Sequence, residues 1–131
     1  MKKCDHYPLS AHLEQDGWLT PDTYSTNYAR FPDTSGVYIF LYSDLDLAKI
    51  RLEAERVLYV GMSLSIAQRQ IGHEVYGSIC DDIYALKGGY FHCSRWFKQV
   101  AEDRLRTEEA RLIRYYDPPY NLIHRRKGLA A

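Results

Sequence analysis

The amino-acid sequence predicts a single α/β domain built around a small sheet of about three strands. The chain has 131 residues, the usual size of one domain with one core. Hydrophobic residues make up 46% of it and charged residues 26%, the balance of a folded globular protein. Short stretches with the alternating pattern of strands are interleaved with stretches typical of helices, and this order indicates a mixed α/β class.

The N-terminal third contains an arm, a strand and a charged segment. Residues 1–33 mix turn formers with aromatics and have no sustained period, which predicts an irregular arm packed on the domain. The stretch GVYIFLY begins at residue 36 and predicts a strand with Val37 and Tyr38 on opposite faces. Residues 44–56 are rich in Leu, Ala, Glu and Arg, so they are predicted to form a helix.

The stretch VLYVG, residues 57–61, predicts a second strand. A period of two along it places three residues on one face, Val57, Tyr59 and Gly61, and the other two, Leu58 and Val60, on the opposite face.

A helix is predicted to begin after this strand, because Ser65 and Gln68 have the S-x-x-Q spacing of a capping box. Continued to residue 75, that helix would carry Arg69 and His73 on one face, four residues apart.

The second half of the chain repeats the pattern of strand and helix. Residues 78–89 are predicted to form a loop, and residues 90–96 a third strand. A long helix is predicted over residues 98–116. It ends at Asp117, since a residue that precedes proline avoids the helical region.

Composition narrows the functional classes. No apolar run approaches the ~18 residues that cross a bilayer, and three scattered cysteines suit a reducing compartment, so a cytoplasmic protein without membrane contact is expected. The net charge is zero, but residues 1–60 carry −3 and residues 61–131 carry +3. The basic half is compatible with a local nucleic-acid-binding patch, and equally with solvated helix faces.

Glu109 is the most informative single residue. With Leu105 at 0° on a helical wheel, Glu109 falls at about 40°, between Leu112 at about 340° and Ile113 at about 80°. A carboxylate that is buried in an apolar stripe loses its hydration, so its charge requires a partner. An internal arginine, hydrogen-bond donors and a metal ion are all open as its partner.

Several residues occur in a recognisable order. They are the triplet Gly36-Val37-Tyr38, the triplet Tyr59-Val60-Gly61, the pair Arg69 and His73, and Glu109 in E-x-x-L-I-x-x-x-x-P-x-Y-N ending at Asn121. Together they resemble the GIY-YIG nuclease family, over about two thirds of the chain. The resemblance implies a central three-stranded antiparallel sheet flanked by helices, within a nuclease domain over residues 34–123. It also implies cleavage of DNA phosphodiester bonds that depends on one Mg²⁺ or Mn²⁺ ion.

The resemblance assigns roles by position. Glu109 matches the metal-binding glutamate, and Arg69 matches the arginine that contacts the scissile phosphate. Tyr38 and Tyr59 match the signature pair of tyrosines, and Tyr38 is expected beside the attacking water. His73 is expected to accept a proton, to relay it or to orient a hydroxyl. Asn121 matches the asparagine that closes the motif and is expected to anchor the C-terminal segment. Independently of the resemblance, Gly36 and Gly61 suit a close approach of the sugar-phosphate chain because they carry no side chain. The basic tail over 124–131 is expected to add phosphate contacts through Arg125, Arg126 and Lys127.

Two features depart from the family pattern. Valine stands at the centre of both triplets, and residues 44–56 lengthen the connection between the two tyrosines. Two alternatives remain beside the nuclease: a GIY-YIG fold that binds nucleic acid without cutting it, and a protein-interaction domain in which Glu109 pairs with an internal arginine. The sequence leaves open whether the substrate is DNA or RNA. It also leaves open whether the protein acts as a homodimer or with a separate DNA-targeting partner.

Overall fold

The computed structural model describes residues 9–20, 32–46, 51–87 and 92–121. Its elements are α1 (Leu9–Gln15), β1 (Gly36–Asp46), β2 (Arg51–Ser63), α2 (Ile66–Gln70), α3 (Glu74–Lys87), β3 (His92–Gln99), a 3₁₀ turn (Glu102–Arg104) and α4 (Leu105–Tyr116). The chain is a small α/β domain with a three-stranded antiparallel sheet packed against helices, in the strand order β2-β1-β3. The α/β class with three strands is therefore confirmed.

The central strand β1 is buried on both faces. Val37, Ile39 and Leu41 contact one set of helices, and Tyr38 and Phe40 contact the other. The first face packs against α1 and α4, and the second against α2 and α3. The alternation predicted for this strand is confirmed, and helices cover both faces because both are apolar.

The helix predicted over residues 44–56 is wrong. Residues 44–46 extend β1, residues 51–56 belong to β2, and Asp46 pairs with Arg51 across the hairpin. The hydroxyl of Ser43 donates a hydrogen bond of 2.9 Å to the carboxylate of Glu55 on the neighbouring strand. Pairing along an already formed strand overrides the helix propensity of these residues, which amounts to only a few tenths of a kcal/mol each.

A β-bulge corrects the predicted faces of β2. Phe40 pairs with Tyr59 but Leu41 pairs with Val57, so Leu58 is an extra residue in the ladder. As a result Val57 and Val60 share one face, and Leu58 packs with Tyr59 on the other. The strict period of two fails here because a bulge shifts the alternation by one residue.

The helix after β2 begins where predicted but ends early. Ser65 is the N-cap of α2, and its hydroxyl accepts a hydrogen bond of 3.4 Å from the Gln68 N–H. The helix ends at Gln70, because Ile71 is extended and Gly72 has a φ of 61°, a conformation that favours glycine. A second helix, α3, then occupies residues 74–87, most of which were predicted to be a loop.

The remaining elements differ from the predictions mainly at their boundaries. Residues 9–15 of the arm predicted to be irregular form α1, and Leu19 pairs with Phe97 at the outer edge of β3. Strand β3 covers His92–Gln99 and so continues past the predicted end at residue 96, while residues 90 and 91 of the predicted strand lie outside the described residues; α4 starts only at Leu105. Asp117, with a φ of 48°, ends α4 as predicted. In the part of the chain that the structure describes, none of the helices could cross a bilayer.

Candidate active site

An aromatic cluster on the face of the sheet towards α2 and α3 forms the centre of the candidate site. The ring of Tyr38 lies 6.2 Å from that of Tyr59 and 5.5 Å from the imidazole of His73, measured between centroids. Phe40 stacks on Tyr59 at 5.5 Å and meets the His73 ring edge-on at 5.0 Å. The rings therefore hold one another in a fixed arrangement.

His73 links this cluster to the start of α3. It is 5% exposed and immediately precedes the first residue of the helix. Its Nε2 lies 2.8 Å from the hydroxyl of Tyr38, and its Nδ1 accepts a hydrogen bond of 3.2 Å from the Val75 N–H. Accepting an N–H from the first turn is the role of an N-cap side chain. The predicted helix carrying both Arg69 and His73 is wrong, because Gly72 separates them.

Two opposite charges act on the tyrosine pair. Arg69, in the last turn of α2, has an exposed side chain, whereas Glu109, on α4, is half-buried. Helix α4 packs mainly along β2, the strand that carries Tyr59. Burial is the largest effect on the pKa values of Tyr38 and Tyr59 and raises both. The positive charge of Arg69 opposes this rise, and the negative charge of Glu109 adds to it. The four side chains thus share one electrostatic environment.

Burial nevertheless dominates the ionisation of both tyrosines. Desolvation raises the pKa of Tyr38 well above its ordinary value, and the negative charge that Tyr59 would carry when ionised raises it further. Desolvation also raises the pKa of Tyr59, against the opposing effect of Arg69. Both hydroxyls are therefore protonated at neutral pH. Tyr38 is only 1% exposed, whereas Tyr59 is half-buried.

The two signature glycines are explained by packing within the domain. A Cβ at Gly61 would overlap the ring and hydroxyl of Tyr38, and a Cβ at Gly36 would overlap the Lys98 carbonyl and the end of Ile66. Both glycines are buried. They allow the chain's own atoms to approach closely, which supplies a reason for glycine other than the predicted approach of a sugar-phosphate chain.

Asn121 anchors the segment after α4 to the edge of the sheet. Its side-chain oxygen accepts a hydrogen bond of 2.8 Å from the Val60 N–H, and its amide donates one of 2.7 Å to the Val60 carbonyl. Among the described residues β2 is an edge strand, and no strand of that part of the chain pairs with these two backbone groups. The contact fixes the backbone between Tyr59 and Gly61 and holds Asn121 against β2.

Replacing Asn121 by Ala should destabilise the domain by about 1–3 kcal/mol, because the N–H and C=O of fully buried Val60 would lose both partners. Urea unfolding followed by circular dichroism measures this loss. Gln99→Ala is the matched control, since that side chain is exposed and its removal should change stability by less than about 0.5 kcal/mol. Equal effects of the two substitutions would contradict the anchoring role.

Sequence patterns missed three contributors to this geometry. Phe40 orients both Tyr59 and His73, although it had been identified only as a strand residue. The Val75 N–H engages His73, and Gly72 allows the turn that brings His73 beneath Tyr38. Gly72 was the one available signal, because glycine within a helical pattern often marks its end.

Glu109 is the carboxylate that was predicted to bind a metal ion at this site. Among the described residues, no group of three or more His, Cys, Asp or Glu side chains could hold a metal ion. Glu109 offers the oxygen ligands that Mg²⁺ prefers, and Mg²⁺ commonly uses one or two carboxylates with substrate phosphates and water. The residues present therefore fit such an ion. The predicted phosphate contacts of Arg125, Arg126 and Lys127 lie outside the described residues.

Comparison with known proteins identifies no relative of this chain. No protein-family model, curated protein or solved structure matches it. Its function must therefore be inferred from the chemistry of the side chains described above.

Proposed function

We propose that the protein is a divalent-metal-dependent endonuclease of the GIY-YIG type that hydrolyses phosphodiester bonds in DNA. One observation carries the proposal. Arg69 and Glu109 are 40 positions apart in the sequence and carry opposite charges, yet both act on the same pair of tyrosine hydroxyls. A phosphodiester cleavage site requires this combination of a cation for the phosphate, an oxygen ligand for a metal ion and groups that handle a proton.

Arg69 is the proposed phosphate ligand. Its exposed guanidinium can reach a substrate from outside the domain, and its planar fork matches two phosphate oxygens at once. The phosphate gains negative charge as water attacks, so a fixed positive charge stabilises the transition state more than the ground state.

Glu109 is the proposed metal ligand. Half-buried on α4, it can bind an ion with part of its carboxylate while the remainder of the coordination shell stays open to substrate. When bound, Mg²⁺ or Mn²⁺ would neutralise charge on the phosphate and lower the pKa of a coordinated water. The carboxylate's own task is to fix the ion's position relative to Arg69 and the tyrosines.

Of the two tyrosines, Tyr59 is proposed to face the substrate. Tyr38 is almost completely buried and its hydroxyl contacts His73, whereas Tyr59 keeps part of its surface exposed. Since both phenols are protonated at neutral pH, Tyr59 serves first as a hydrogen-bond partner that orients the attacking water. Tyr38 holds Tyr59 in place from beneath.

Incubating the purified protein with supercoiled plasmid tests the proposal. Nicking or linearisation is expected with Mg²⁺ or Mn²⁺ and should stop when EDTA is added. Linear duplex, single-stranded DNA and RNA substrates in the same assay identify the form that is cut. Absence of cleavage on every substrate with either ion would overturn the proposal, and salt-dependent binding without cleavage would favour a binding module instead.

Arg69→Ala should reduce the cleavage rate by about 10²–10³-fold, the usual effect of removing one fixed stabiliser of transition-state charge. Single-turnover kinetics with the protein in excess measures the rate. Arg114→Ala is the matched control: its side chain is also exposed, but it lies about 140° around α4 from Glu109. A comparable loss in both variants would indicate general charge attraction and argue against a specific role for Arg69.

A further inference from the structure

The hydrogen bonds around His73 determine which of its ring nitrogens carries the proton. Its Nδ1 lies 3.2 Å from the backbone nitrogen of Val75, and that nitrogen is an obligatory donor. Nδ1 must therefore present a lone pair, because a hydrogen there would face the amide hydrogen. A neutral imidazole has one protonated nitrogen, so the hydrogen lies on Nε2.

The hydrogen on Nε2 sets the direction of the contact with Tyr38. Nε2 lies 2.8 Å from the Tyr38 hydroxyl oxygen. With the hydrogen on Nε2, the imidazole donates and the tyrosine oxygen accepts. The hydroxyl hydrogen of Tyr38 is then left to point away from His73.

We infer that His73 is a positioning residue, which the N-terminus of α3 holds as a fixed hydrogen-bond donor to Tyr38, and is not the base that takes the Tyr38 proton. A donor at Nε2 has no lone pair with which to accept that proton. The donors run in one direction, from the Val75 N–H to His73 and from His73 to Tyr38. His73 therefore has two functions: it caps α3 and it orients the tyrosine pair. The catalytic consequence rests on the proposed nuclease function, but the assignment of the proton does not.

Long-range ¹H–¹⁵N spectra of the histidine-labelled 131-residue chain test the inference directly. The chain has five histidines, and the signals of His73 are those that disappear in His73→Gln. We expect Nε2 to carry the hydrogen at neutral pH and Nδ1 to be unprotonated. A hydrogen on Nδ1, or exchange between the two neutral forms, would overturn the inference. This result does not depend on whether the protein cuts DNA.

Two amide variants separate the functions of the two nitrogens. His73→Asn places its amide near the Nδ1 position, so the variant should keep the cap of α3 and the protein's thermal midpoint. It should lose the hydrogen-bond donor to Tyr38, and its cleavage rate should fall about tenfold. His73→Gln can reach the Nε2 position, so it should retain more cleavage than His73→Asn while lowering the thermal midpoint further. The reverse ranking of cleavage rates would contradict the inference. Absence of cleavage by the wild-type protein would contradict the proposed nuclease function. The NMR result alone would then decide which nitrogen of His73 carries the proton.

Discussion

Glu109→Gln should lower the rate of DNA cleavage by at least about 100-fold while leaving the domain folded. Residues that only hydrogen-bond to a metal ligand already contribute about 10–100-fold to metal affinity or activity. Removal of the charge of the ligand itself should therefore reduce the cleavage rate by at least as much. The substitution preserves shape and removes only the negative charge. Because the side chain is half-buried, the free energy of unfolding should change little. Plasmid nicking at saturating Mg²⁺, together with urea unfolding, gives both quantities.

The neighbouring residue provides a matched control. Glu108→Gln makes the same chemical change one position away, where the carboxylate is paired with Arg111 of the same helix at 2.8 and 2.7 Å. A pair of this kind contributes roughly 0.3–0.5 kcal/mol, so cleavage and stability should both stay close to wild type. If Glu109→Gln instead cost ~3–5 kcal/mol of stability, Glu109 would be one half of a structural ion pair, and the metal role would be wrong.

Gly61→Ala should destabilise the protein by about 1–3 kcal/mol, the usual cost of forcing a methyl group into a well-packed core. The added Cβ would overlap the Tyr38 ring, which is 1% exposed and packed against neighbouring rings. Tyr38 would have to move and would lose its 2.8 Å contact with His73. Urea unfolding reports the loss of stability, and cleavage should fall along with it.

Gly77→Ala is the control for this substitution. A Cβ at Gly77 has no atom within 4 Å, and the residue is exposed within α3. Alanine is preferred to glycine inside a helix, so this variant should gain roughly 0.5–1 kcal/mol. A Gly61→Ala protein as stable and active as wild type would show that Gly61 is not required by the position of Tyr38.

The parts of the fold predicted correctly are those where local pattern and final packing agree. The alternation in β1 is regular, and the Ser65 cap and the proline after Asp117 act through the backbone next to them. Residues 44–56 have the composition of a helix, but residues 44–46 extend β1 and residues 51–56 belong to β2. The energy of pairing comes from the partner strand, which composition over a short window does not contain.

The contacts within the candidate site could not be predicted from side-chain patterns. Those patterns placed Tyr38 and Tyr59 on two separate strands, and the structure brings their rings to 6.2 Å from each other. The position of His73 was expected to follow from a helix shared with Arg69, yet it depends on a turn at Gly72 and on the first backbone N–H groups of α3. Gly72 itself was a sequence signal for the turn, but the contact with the Val75 N–H uses a backbone group that almost every residue has, so side-chain patterns carry no signal for that contact.

The central claim is that Glu109 holds a divalent ion beside Arg69 and the tyrosine pair. A crystal structure of the protein with Mn²⁺ and a cleavage-resistant DNA analogue measures this most directly. We expect an anomalous peak about 2.1 Å from a Glu109 carboxylate oxygen, with a phosphate oxygen in the same coordination shell and the Arg69 guanidinium on that phosphate. DNA bound elsewhere, with Glu109 paired to a cationic side chain and no manganese beside it, would contradict the account.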